Sequence, residues 1–125
     1  MASFGDGSKR RLATLDLQLQ DVMNEAIKHF DFSIIWGYRG KAHQDRAFRE
    51  GNSKVKWPNS RHNEMPSQAV DIVPYPGGFS NEDEAFYKMA TYIFRAAHDT
   101  DVSLVWGGHW KRFKDLAHFE LKEKQ

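Results

Sequence analysis

Near the middle of the chain, Ala69-Val70-Asp71-Ile72-Val73 sets one carboxylate inside an apolar run rich in β-formers. The run reads as a strand, closed by Pro74 and the Pro76-Gly77-Gly78 turn. Asp71 then sits on a half-buried sheet, where a carboxylate is costly unless it is paired, hydrogen-bonded or bound to a metal. A salt bridge to Arg or Lys and a metal site both remain open on this evidence alone.

The elements around that strand define the fold class. Leu15, Leu19, Val22, Met23, Ala26, Ile27 and Phe30 recur as one helical stripe. Thr14 is its expected N-cap, with Asp16 in the first turn. Phe32-Ser33-Ile34-Ile35-Trp36 reads as a short strand ended by Gly37-Tyr38-Arg39-Gly40, and a helix over about 42–50 stops at Gly51. Residues 52–61 form a polar loop. Asn81 with Glu84 marks a helix start, and Phe86, Met89, Ala90, Ile93 and Ala97 give that helix its buried face. Strands follow at 102–106 and about 117–121, and residues 1–12 are expected to be a loose leader. Helices and strands mix without βαβ alternation and with short connections. This predicts a single α+β domain with a mainly antiparallel sheet, helices on one face and a cleft on the other.

Composition narrows the function. The 125 residues carry 18 basic and 17 acidic side chains, a net charge of +1, so the basic bias of a nucleic-acid binder is missing. No apolar run reaches membrane-span length, and the N-terminal MASFGDGSKRR does not read as a signal peptide. With no cysteine, a transition-metal site must be built from His, Asp and Glu. At 14% aromatics, with four Trp and nine Phe, the chain can line a cleft as well as fill a core.

His62, in the loop leading into the Asp71 strand, and His118, near the C-terminus, can join Asp71. Two imidazoles and a carboxylate suffice for catalytic zinc, leaving one position for water. Asp115 and Glu120 flank His118 and are both candidate proton acceptors, Glu120 sharing the face of His118 by the two-residue period of a strand. Arg39 is placed to face an oxyanion. His29 and His98 fall near helix C-termini as capping or surface residues, whereas His109, in a turn expected to face the cleft, is a candidate substrate contact or substitute ligand.

Taken in order, several blocks resemble the zinc peptidases of the VanX and VanY type, which cut D-Ala-D-Ala, and most closely the phage endolysins among them, the L-alanyl-D-glutamate peptidases. The blocks are Gly37-Tyr38-Arg39, Gln44, Ser60-Arg61-His62, Ala69-Val70-Asp71-Ile72-Val73-Pro74, Trp106-Gly107-Gly108-His109-Trp110 and Asp115-Leu116-Ala117-His118-Phe119-Glu120. The resemblance implies a Hedgehog/D-Ala-D-Ala peptidase-like fold and one zinc ion on His62, Asp71 and His118. It also implies Asp115 rather than Glu120 as the catalytic carboxylate, and Arg39 at the oxyanion. Gln44, Trp106 and His109 become expected substrate contacts, and Ser60 either a substrate contact or the residue that orients its loop. The implied reaction is hydrolysis of the L-Ala–D-Glu bond of the peptidoglycan stem peptide by a monomer. That monomer would be held in the host cytoplasm until a separate holin lets it reach the wall. A D,D-carboxypeptidase or dipeptidase of the same family, or a non-catalytic wall-binding module, is the alternative. The run from His62 to Asp71 is two residues longer than is common in that family, and His109 stands where Asp is expected.

Overall fold

Four strands and four helices build the domain in the computed structural model, which describes residues 2–123. The order is α1 (Asp6–Leu12), α2 (Leu17–Ala26), β1 (Phe32–Trp36), α3 (Lys41–Arg49), β2 (Ala69–Pro74), α4 (Asp83–Asp99), β3 (Leu104–Trp106) and β4 (His118–Leu121). The strands form one sheet in the order β1-β2-β4-β3, every pair antiparallel. The α+β class and the antiparallel sheet expected from the sequence are therefore present.

Strand periodicity divides the sheet into two faces. Val70 pairs with Phe119 and Ile34 with Ile72, and these side chains join Leu19, Val22, Met23, Met89 and Ile93 from α2 and α4 in the core. Fully burying each such side chain contributes about 1.5–3 kcal/mol. The next pair along, Asp71 with His118, faces the other way.

A bulge in β1 between Ile34 and Trp36 adds one residue, so that Trp36 pairs with Asp71. Without it, Trp36 would follow Phe32 and Ile34 onto the core face. With it, the chain from Trp36 to Arg39 is delivered to the face of Asp71 and His118. Helix α3 stands at the rim of that second face, its His43 ring 5.1 Å from the Trp36 ring.

Three local expectations change. Within the leader expected over residues 1–12, the described residues 2–12 are ordered: Asp6–Leu12 is helical, Phe4 packs edge-on against Phe32, and the buried Ser8 hydroxyl accepts a hydrogen bond from the Ile34 amide. The second helix is capped by Asp16, whose side chain accepts from the Gln18 amide. Thr14 instead accepts from the Tyr38 amide and donates to the Arg11 carbonyl, tying α1 to the end of β1. Asn81 does not cap α4; its amide donates to the carbonyls of Pro74, Pro76 and Gly78, closing the preceding turn.

Candidate active site

His62, Asp71 and His118 come together although 9 and 47 residues separate the two histidines from Asp71. One donor atom from each lies within 4.8 Å of the others. Asp71 Oδ1 is 3.1 Å from His62 Nε2 and 3.1 Å from His118 Nδ1. The register pair Asp71–His118 brings two of the three side by side, and a 3₁₀ turn, Arg61–Asn63, supplies the third.

Each imidazole has its outer nitrogen occupied, which fixes the inner one. His62 Nδ1 is 2.8 Å from the Gly37 carbonyl, an oxygen that only accepts, so Nδ1 carries a proton and Nε2 is the nitrogen that faces the centre. His118 Nε2 is 2.7 Å from Glu120 Oε1, which leaves Nδ1 pointing inward. A carboxylate and two imidazoles held this way by backbone and carboxylate acceptors fit a divalent metal.

Burial alone would raise the Asp71 pKa, but the His62 charge and the hydrogen bonds from His118 and His62 outweigh it, and the carboxylate is held below its ordinary range. Burial works against a charged His118, yet Asp71 and Glu120 push its pKa up to about 9. Asp115 is raised by burial and by the nearby charge of Asp71.

These shifts set a pH dependence for the protein kept in chelator. The raised His118 contributes stability fully below its ordinary value of 6.5, and loses it as pH rises towards 9. Raised Asp115 contributes fully below its ordinary value of 3.8 and loses that stability as pH rises above it. The lowered Asp71 contributes above 3.8 and loses that stability in acid. The melting temperature in chelator should therefore peak between pH 3.8 and 6.5 and decline to pH 9. A melting temperature that climbs steadily from pH 6 to 9 would contradict this assignment.

Around the centre, Arg39 and Asp115 are both within electrostatic reach of Asp71. Arg39 is buried, its guanidinium 5.5 Å over the Trp36 ring, and desolvation lowers its pKa against the opposing charges of Asp71 and Asp115. Asp115 Oδ1 accepts from the Ala117 amide, and its backbone is pressed against Gly107, where an added Cβ would collide with the Asp115 carbonyl.

Three expected substrate contacts, Gln44, Trp106 and His109, take other positions, and Ser60 orients its loop. Gln44 is fully buried. Its Oε1 accepts from Arg39 Nε at 2.8 Å and from Asn63 Nδ2 at 3.2 Å, and its Nε2 donates to Ser53 Oγ and the Val55 carbonyl. With every bond made inside the protein, Gln44 positions Arg39 and has none left for substrate. The Ser60 hydroxyl accepts from the His62 amide and caps the 3₁₀ turn. Trp106 pairs with Phe119 and stacks on it at 6.0 Å on the core face, with Nε1 donating to the Leu116 carbonyl. His109 stacks against Phe94 of α4 at 5.8 Å, beside Trp106, and does not substitute as a ligand. Its neighbour Trp110 is the residue of this turn that meets a centre residue, its ring 5.0 Å from the His118 ring, a contact not expected from the sequence.

Gly37 carries the acceptor for His62 and also packs tightly against Arg11 of α1 and Thr14 just beyond it. A Cβ there would meet Thr14 Oγ1 and lie 2.7 Å from the Arg11 carbonyl oxygen. Gly37→Ala is expected to cost about 1–3 kcal/mol through overpacking and to weaken metal binding by displacing the His62 acceptor. Chemical denaturation and metal titration check both effects, and an unchanged metal affinity would disconnect Gly37 from the site.

A His–Asp–His cluster that could hold a metal ion, set on an antiparallel α+β sheet with an arginine and a further carboxylate beside it, is a hydrolase type of site. The chain belongs to the phage L-alanyl-D-glutamate peptidase family, whose family model matches residues 1–124. It is 31% identical over 123 residues to the L-alanyl-D-glutamate peptidase of Escherichia phage T5, covering 95% of this chain and 88% of that one. Among solved structures, the Serratia marcescens L-Ala D-Glu endopeptidase ChiX superposes with a TM-score of 0.81 at 31% identity, covering 96% of this chain and 90% of that one.

Proposed function

We propose that the protein is a zinc-dependent peptidoglycan endopeptidase that hydrolyses the L-Ala–D-Glu bond of the stem peptide. The observation that carries this reading is the convergence of His62, Asp71 and His118, with both imidazoles oriented from behind, in a chain similar end to end to L-Ala–D-Glu peptidases. An all-nitrogen-and-oxygen set of two His and one carboxylate suits zinc with an open position. Zinc bound there supplies Lewis acidity and a water of pKa about 7.

The remaining work falls to the chain's own groups. Asp115, raised in pKa and backed by the Ala117 amide, takes the proton of the attacking water and passes it to the leaving amine. Arg39, locked by Gln44 and Trp36, faces the developing oxyanion. No helix among the described residues is long and apolar enough to cross a membrane. On this reading the enzyme waits in the host cytoplasm and reaches the wall through a separate holin, as the family resemblance supports.

Digestion of purified peptidoglycan followed by mass spectrometry tests the bond assignment. New N-terminal D-Glu is expected. Release of D-Ala instead would make the enzyme a D,D-carboxypeptidase, and wall binding without any new terminus would leave only a binding module.

A further inference from the structure

Glu120 and Arg61 have no part in the chemistry just described, yet they lie directly behind a ligand. Glu120 Oε1 meets His118 Nε2 at 2.7 Å, on the side of the ring away from Asp71. Its other oxygen, Oε2, lies 3.8 Å from Arg61 Nε, a charge contact longer than a hydrogen bond. Arg61 immediately precedes His62, and its Nη2 donates to the Leu121 carbonyl at 3.0 Å, at the end of β4. The Arg61 carbonyl accepts from the Gln68 amide, and the Leu121 amide donates to the Gln68 carbonyl. One guanidinium thus joins the turn carrying His62 to the strand carrying His118. Glu64 and Glu123 also approach Arg61 Nη1, at 3.3 and 3.6 Å, but both are exposed to solvent, where ion pairs contribute little.

We propose that Glu120 and Arg61 are positioning residues for the metal: Glu120 fixes the ring of His118 with Nδ1 inward, and Arg61 fixes Glu120. This assignment rests on the zinc reading above. Physically, an imidazole flanked by a carboxylate loses rotational freedom and gains basicity at its opposite nitrogen, and both strengthen its bond to a cation. Glu120 is engaged behind the ring, so it is not free to serve as the proton acceptor, a role left to Asp115. The Arg61 charge holds the carboxylate in place from the far side, and its link to Leu121 keeps the distance between the two ligand-bearing segments constant.

The test is zinc affinity of the full chain, measured by competition with a chromophoric chelator, with circular dichroism in chelator as a fold control. Glu120→Ala is expected to weaken zinc roughly 10- to 100-fold. Glu120→Gln, which keeps an oxygen acceptor for Nε2–H, should recover most of that loss. Arg61→Met should weaken zinc severalfold in the parent and have no further effect in the Glu120→Gln protein, because it acts through the carboxylate charge. If Glu120→Ala keeps the parent's circular dichroism spectrum and binds zinc as tightly, the positioning role of Glu120 is overturned. If Arg61→Met weakens both backgrounds equally, Arg61 acts through loop packing and the chain of positioning is broken. A parent protein that binds no zinc would instead overturn the metal reading itself.

Discussion

Asp115→Asn is expected to lower turnover of stem-peptide substrate by about 10²- to 10⁴-fold, the usual contribution of a positioned proton-transfer group, while zinc affinity stays close to that of the parent. The substitution is conservative in every other respect. Asn keeps an oxygen for the Ala117 amide, and the backbone contact with Gly107 does not depend on the carboxylate. What it removes is the proton acceptor that burial and Asp71 hold above its ordinary range. Steady-state cleavage of a defined muropeptide, together with metal titration, separates the two effects. Undiminished turnover would take Asp115 out of the reaction. Lost zinc would recast it as part of the metal cage.

The second large effect is loss of the metal. His62→Ala removes a ligand that is 1% exposed and held from behind by Gly37, and no other residue among the described ones completes the set. Metal polarisation is worth several kcal/mol of transition-state stabilisation, so turnover should fall about 10³-fold or more. Chelation of the parent should reach the same floor, and chelator added to the variant should lower it no further. That non-additivity identifies one shared cause. A variant still inhibited by chelator would place the working metal elsewhere.

Much of this site is legible in the residues. Asp71 stands out because an apolar strand gives a carboxylate no cheap surroundings, and the two-residue period correctly put Glu120 beside His118. What the period could not supply was the bulge in β1: an extra residue costs no hydrophobic pattern, yet it re-aims Trp36 and everything up to Arg39. Helix α1 was hidden because DGSKRRL has no apolar stripe. It is held to the sheet mostly by polar contacts, the Ser8 hydroxyl on the Ile34 amide and the Arg11 guanidinium on the Ile34 carbonyl, with Phe4 packed on Phe32 just ahead of it. Gln44 looked like a substrate contact because a polar residue in a functional block suggests exposure, whereas four internal partners bury it. His109 and Trp110 are adjacent, and only the 3₁₀ turn at Gly107–His109 decides which of them meets His118.

The seat of Gly37 against Arg11 and Thr14 reaches beyond the fold. Anyone cutting the chain down to a smaller lytic fragment would be tempted to discard everything ahead of Leu15, since it touches no reacting atom. That trimming would unbrace the carbonyl behind His62, so the shortened enzyme should shed its ion in dilute solution well before it unravels.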